Sequence, residues 1–159
     1  MEQKHLSKWL KLILIGVGIC GLILYAAVIP MYGLSLRTLY PELSNRFWPW
    51  LIFIWVSGIP CFMVVYFAWK IAKNIGKDLS FTEQNASFLK KISALSVGDA
   101  GFFFAGNIVL LFLNMSHPGI VIASFGISFI GVAVAVVSAV LSYLVKKAAA
   151  LQEQSDWTI

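Results

Sequence analysis

The sequence predicts an all-α integral membrane protein, built as a bundle of four transmembrane helices. Its 159 residues are 60% hydrophobic and only 12% charged, whereas soluble domains average about 45–50% apolar and about 25% charged residues. A soluble fold of this length leaves roughly 30% of its unfolded-chain surface exposed, too much for so apolar a chain. Long charge-free runs are the second observation. Lipid is therefore the expected solvent.

The charge-free runs define the spans. They lie between Lys11 and Arg37, between Arg46 and Lys70, and between Asp99 and Lys146. A bilayer core about 30 Å thick needs roughly 20 apolar residues in a helix. The last run is long enough for nearly two crossings and is interrupted once, at the turn-forming residues 114–119. We predict helices at 12–32, 47–69, 95–113 and 120–145, in one membrane domain over residues 1–159. Barrel strands are excluded because the runs do not alternate.

The basic residues predict the orientation. Arg37 and Arg46 lie on one side of the predicted membrane, and all ten lysines lie on the other: Lys4, Lys8, Lys11, Lys70, Lys73, Lys77, Lys90, Lys91, Lys146 and Lys147. The positive-inside rule then places both termini, the loop 70–91 and the tail 146–159 in the cytoplasm. The net charge of +5 fits contact with anionic headgroups, at about 1 kcal/mol per basic residue. Direct nucleic-acid binding is not expected, because the lysines are spread along helix ends.

Motifs typical of catalysis or cofactor binding lie in the wrong context. The G-x-G-x-x-G pattern of residues 16–21 falls inside a span, where its amides are already bonded, so it favours a close helix crossing over a nucleotide site. Cys20 and Cys61, with His5 and His117, do not make a zinc site. His117 lies about 27 Å along a helix from Asp99, too far for a catalytic pair. We expect no enzyme activity, cofactor or metal.

Asp99 and Asn107 are the polar residues predicted inside the membrane. An acid at such depth is functional or paired, so two hypotheses stay open for Asp99. One is an ion or proton pathway, and the other is a hydrogen bond between helices or a carboxylate reaching up to Lys90 or Lys91. In the last span, a small-residue edge formed by Gly131, Ala135, Ser138 and Ser142 predicts packing inside the bundle or between two protomers of a homo-oligomer.

The loop between spans two and three predicts a turn at residues 76–78 and then a short capped cytoplasmic helix. Ser80 and Glu83 match a capping box, with Thr82 as a competing cap. The apolar residues Phe81, Phe88, Leu89 and Ile92 would line the buried side of this helix. The run F-T-x-x-N-A-x-x-L-K-x-I, from Phe81 to Ile92, and the acidic tail 151–159 resemble the bacterial DUF2975 membrane protein family.

The resemblance implies a multipass protein of the bacterial cell membrane, often paired with a small Xre/Cro-type helix-turn-helix regulator. The predicted cytoplasmic pieces are too small for a catalytic domain but sufficient for an interface of about 20–30 residues. We therefore expect a non-enzymatic protein that binds or sequesters such a regulator. The candidate contacts are Phe81, Thr82, Glu83, Asn85, Leu89, Asp156, Trp157, Thr158 and Ile159.

Two other functions remain open from the sequence. One is a small channel or transporter that uses Asp99 and Asn107. The other is a peptide-toxin immunity protein with the outer loop Gly33–Arg46 as its contact surface.

Overall fold

The computed structural model describes residues 3–39 and 41–156, and this part of the chain is helical apart from two turns. Four stretches are long and apolar enough to cross a membrane, which confirms the prediction of four helices of this kind. The helices are α1 (Gln3–Ile23), α2 (Ile29–Leu39), α3 (Phe47–Ile75), α4 (Glu83–Phe112) and α5 (Pro118–Asp156), with a π turn at Leu24–Val28 and a 3₁₀ helix at Pro41–Arg46.

Both turns between the long helices use a residue in the left-handed region. Asp78 has a φ of 62° and Asn114 a φ of 55°, and these two residue types tolerate that conformation because their short polar side chains bond locally. The Leu79 N–H donates to Asn74 O at 3.1 Å, and the Met115 N–H donates to Leu110 O at 2.8 Å. The chain thereby reverses direction at the positions that the sequence predicts.

Helix α4 is continuous from Glu83 to Phe112. Residues 83–92, for which the sequence predicts a short capped helix entering the third span, are therefore its first turns and continue into the rest of α4 without a break. The N-cap is Thr82, whose side chain accepts a hydrogen bond from the Asn85 N–H at 3.3 Å. Ser80 is not the N-cap, and its hydroxyl donates to Gln3 Oε1 at 2.8 Å.

The first membrane segment contains the π turn between α1 and α2, which the sequence analysis does not predict. The Ile29 N–H donates to Leu24 O, so the carbonyl of Tyr25 loses its α-helical partner. The residue five positions on is Pro30, which has no N–H to replace it. The indole Nε1 of Trp55 in α3 donates to this carbonyl at 3.0 Å, which satisfies it from outside the helix.

Helix α1 packs against α3 through small residues. Ser7 Oγ donates to Ala72 O at 2.6 Å, and the Tyr25 ring covers Gly58, where an added Cβ would lie 2.8 Å from the ring. Gly21 contacts Phe62, but Gly16 and Gly18 have no atom of another element within 4 Å of their Cβ positions. Only one glycine of the G-x-G-x-x-G pattern therefore serves the predicted helix crossing.

The predicted small-residue edge of α5 lies against α4, inside the bundle. A Cβ on Gly131 would lie 3.1 Å from Ala100 Cβ, Ala135 and Ser138 are buried, and Ser142 Oγ donates to Ala86 O at 2.7 Å. Many large apolar side chains of the bundle point outward. This distribution is expected where lipid tails surround the helices and small or polar residues mediate their packing.

Candidate functional site

The loop after α3 and the last turns of α5 meet in one pocket of about 360 Å³, which we call the loop–tail pocket. Gln3 at the start of α1 completes its wall. The lining residues are Gln3, Asp78, Leu79, Ser80, Phe81, Thr82, Ala149, Gln152 and Glu153. The structure thus brings together two of the segments that the sequence analysis selects for partner binding.

A buried side chain holds the loop in shape. Asn85 is only 1% exposed, and its amide Nδ2 donates to Leu79 O at 2.8 Å and to Ser80 O at 3.0 Å. Its Oδ1 accepts a hydrogen bond from Asn74 Nδ2 at 2.8 Å. The loop backbone is therefore fixed from α3 and α4 together, so its outward side chains have a defined position.

The candidate contact residues separate into exposed and supporting groups. Phe81 is 56% exposed and does not point to the buried side that the sequence predicts, whereas Phe88 and Ile92 are buried. Glu83 is exposed and Leu89 is half-buried, while Asn85 and Thr82 support the loop through the bonds given above. Asp156 ends α5; its side chain, and all of Trp157, Thr158 and Ile159, lie outside the described residues.

Charge differs between the pocket and the neighbouring helix ends. Asp78 and Glu153 line the pocket, and no lysine is among its described lining residues. Lys70 lies 4.7 Å from the Tyr66 ring centroid, and Lys91 lies 5.3 Å from that of Phe67. These cation–π contacts hold ammonium groups against the aromatic surface of the bundle. The described lining of the pocket thus contains two carboxylates and no lysine, although the lysines lie at the same end of the bundle.

Asp99 is paired across helices, but only through one oxygen. Cys61 Sγ of α3 donates to Asp99 Oδ2 at 3.6 Å. Within the part of the chain that is described, Oδ1 of Asp99 is buried and has no hydrogen-bond partner. The carboxyl group is thus part of a hydrogen bond between helices and does not reach the lysines of the loop.

The sequence analysis did not identify the hydrogen-bond partners of Asp99 or of the loop. It assigned Cys61 to packing, although Cys61 contacts Asp99, and it did not select Asn74 or Gln3, which brace the loop. These pairs join residues on two different helices or, for Gln3 and Ser80, a helix and the loop. Their contacts depend on how each helix is rotated about its axis, and the spacing along one helix does not contain that information.

The fold defines a multipass helical membrane protein whose described polar clusters lie at the loop–tail end and inside the bundle. The chain belongs to the DUF2975 family, described as proteins of unknown function, whose model matches residues 35–159. It is 28% identical over 153 residues to the uncharacterized membrane protein YoaS of Bacillus subtilis (strain 168), covering 95% of this chain and 96% of that protein. No solved structure matches the chain significantly.

Proposed function

We propose that this protein binds a small cytoplasmic helix-turn-helix regulator at the loop–tail pocket and holds it at the membrane. The role is non-enzymatic, and both termini and the pocket face the cytoplasm of a bacterial cell. The supporting observation is that exposed Phe81 and Leu79 lie on a braced loop beside the end of α5. An exposed aromatic side chain at a fixed position is the kind of residue that dominates binding energy in interfaces.

The charge of the pocket supports a DNA-binding partner. Two of the seven acidic residues, Asp78 and Glu153, line the pocket, and no lysine is among its described lining residues. DNA-binding domains carry a basic surface that neutralises phosphates. An acidic, partly apolar pocket is complementary to that surface, so binding here would compete with DNA for the regulator.

The test first asks whether a short helix-turn-helix protein is encoded beside the gene, and then measures the binding of that protein to the full-length membrane protein in detergent. Phe81→Ala should weaken binding at least about tenfold. Phe112→Ala is the matched control, because Phe112 is 82% exposed at the opposite end of α4, and it should bind like the parent protein. Deleting residues 155–159 should also abolish binding while membrane insertion is kept.

Two outcomes would overturn the proposal. One is a regulator that does not bind the parent protein at all. The other is equal binding by the Phe81→Ala, Phe112→Ala and parent proteins, which would show that this surface is not the contact. A gel-shift titration adds a functional readout, since the membrane protein should release the regulator from its operator.

A second candidate function, a small channel or transporter, is favoured by Oδ1 of Asp99, which has no hydrogen-bond partner among the described residues. A buried carboxyl oxygen without a partner is costly, and such residues within membranes commonly mark ion pathways. Ion flux into vesicles containing the purified protein, lost in Asp99→Asn, would support this function. Equal flux through both proteins would reject a role for Asp99.

A further inference from the structure

A second cavity of about 360 Å³ lies at the opposite end of the bundle from the loop–tail pocket. All four membrane segments contribute to its wall: α2 through Tyr32 and Gly33, α3 through Phe47 and Trp50, α4 through Asn107, and α5 through Ile120. The volume is within the range of about 300–1,000 Å³ that is usual for small-molecule sites. Its wall is mostly aromatic and aliphatic. We call it the arginine cavity.

The two arginines of the chain, Arg37 and Arg46, are both in this wall. Arg37 lies in the last turn of α2 and Arg46 in the last turn of the 3₁₀ helix, one on each side of the connection between the first two membrane segments. No carboxylate is among the described residues that line the cavity. A guanidinium group binds phosphate through two parallel hydrogen bonds, so a pair of them favours an anionic phosphate group.

The deeper part of the cavity is apolar and ends at an aromatic pair. Phe53 and Phe103 both line it, and their rings stack with centroids 5.7 Å apart. Phe53 also packs directly on Gly106 of α4. Asn107 is 3% exposed, and its Nδ2 donates to Phe103 O at 2.8 Å, so one of its amide donors is used within α4. The cavity therefore combines a cationic rim with an apolar interior.

We propose that this cavity binds an anionic membrane phospholipid, with one acyl chain among the aromatic residues and the phosphate between Arg37 and Arg46. The cavity has the volume of roughly twelve water molecules, which suits part of one chain and not a whole lipid. A free phosphate would leave the apolar wall unfilled. A zwitterionic lipid would bring its own cation next to two arginines. Because residues of α2, α3, α4 and α5 all line the cavity, the bound lipid is expected to stabilise the packing of α2 against the other three helices.

The experiment measures retained lipid by native mass spectrometry on the full-length protein, reconstituted with either phosphatidylglycerol or phosphatidylcholine. The parent protein should retain one phosphatidylglycerol and at least about tenfold less phosphatidylcholine. The double variant Arg37→Gln/Arg46→Gln should lose this preference. The matched control Lys146→Gln/Lys147→Gln removes the same charge at the other end of the bundle and should keep it.

A second pair of variants tests the cavity without changing charge. Ile120→Trp adds a large side chain at the cavity wall and should reduce retained phosphatidylglycerol about tenfold. Ile122→Trp, at a 74% exposed position on the same helix, should have no effect. Equal retention of the two lipids, equal retention by the arginine and lysine double variants, or full retention by Ile120→Trp would each overturn the proposal. Binding of inorganic phosphate with no retained lipid would overturn it as well.

Discussion

At the scale of single residues, the buried polar side chains differ in how completely they are hydrogen-bonded. Asn85 uses both polar atoms of its amide in three hydrogen bonds to residues before α4. Asp99 uses one carboxyl oxygen and leaves the other buried without a described partner. A buried group whose hydrogen bond is missing costs about 1–3 kcal/mol. The hydrogen bonds of Asn85 therefore stabilise the fold, whereas the unsatisfied oxygen of Asp99 has a free-energy cost that the rest of the fold must offset.

Asn85→Ala should lower the free energy of unfolding by about 2–3 kcal/mol, because the buried Asn85 amide supplies the donor for Leu79 O and Ser80 O and the acceptor for Asn74 Nδ2. Urea unfolding of the protein in detergent measures this difference. Asn45→Ala, at an exposed position in the 3₁₀ helix, is the control and should stay within about 0.5 kcal/mol of the parent. Equal stability of the two variants would show that the loop does not depend on Asn85.

The sequence motif pointed to Thr82 and Asn85 as important residues but did not distinguish between their possible roles. The motif from Phe81 to Ile92 contains the loop's real cap, Thr82, and its buried support, Asn85. The prediction named Thr82 both as a competing cap and as a candidate contact, but it treated Asn85 only as a candidate contact. A polar residue after a turn can either bind a partner or satisfy the backbone. Only the position of Asn74 on the neighbouring helix decides between these uses for Asn85.

At the scale of elements, Pro30 and Trp55 form a compensating pair. Proline removes a donor from the first membrane segment, the π turn leaves the Tyr25 carbonyl free, and the indole of α3 satisfies it. Within the bilayer no water replaces a lost backbone partner. The stability of the π turn therefore depends on α3 lying where Trp55 can donate to the Tyr25 carbonyl.

Trp55→Phe should destabilise the protein by about 1–2 kcal/mol, since the phenyl ring keeps most of the packing but cannot donate to Tyr25 O. Pro30→Ala restores a backbone N–H, so in the double variant the cost of losing Trp55 should be smaller. A double-mutant cycle by thermal unfolding in detergent measures this coupling. Trp48→Phe, at a 57% exposed position, is the control. Additive effects of Trp55→Phe and Pro30→Ala would contradict the proposed pairing.

The close contact between α3 and α4 at Gly106 leads to a second prediction at the scale of helices. Gly106→Ala should cost about 1–3 kcal/mol, because the new methyl group would overlap the Phe53 ring and force the helices apart. Gly98→Ala on the same helix meets no neighbouring atom and should be neutral or stabilising by up to about 1 kcal/mol. Unfolding in detergent compares the two. If Gly98→Ala were the more damaging variant, the assigned face of α4 would be wrong.

Hydropathy predicts the existence and approximate bounds of the spans because a bilayer imposes one length on every crossing. The turns at Asp78 and Asn114 were predictable for a local reason, because Asp and Asn tolerate the left-handed backbone conformation. The π turn and the unbroken length of α4 were not. The first depends on a donor from another helix, and the second on Thr82 capping a helix whose early turns pack on α3 and α5.

At the scale of the whole molecule, the two ends of the bundle carry different chemistry. One end has the lysines and the acidic loop–tail pocket, and the other has the two arginines around an apolar cavity. Ten of the twelve basic residues belong to the first end. By the positive-inside rule this end should face the cytoplasm, where a regulator of transcription can reach it.

This orientation can be measured directly with single cysteines. In a Cys20→Ala/Cys61→Ser background, Lys77→Cys places a thiol at the exposed turn after α3, and Asn45→Cys places one at the exposed 3₁₀ helix. An impermeant maleimide added to intact cells should label Asn45→Cys strongly and Lys77→Cys only after the membrane is opened. The serine at position 61 keeps a donor for Asp99, which protects the fold. Labelling of Lys77→Cys on intact cells would show that the orientation is the opposite of the one proposed. The loop–tail pocket would then face outward and could not bind a cytoplasmic regulator.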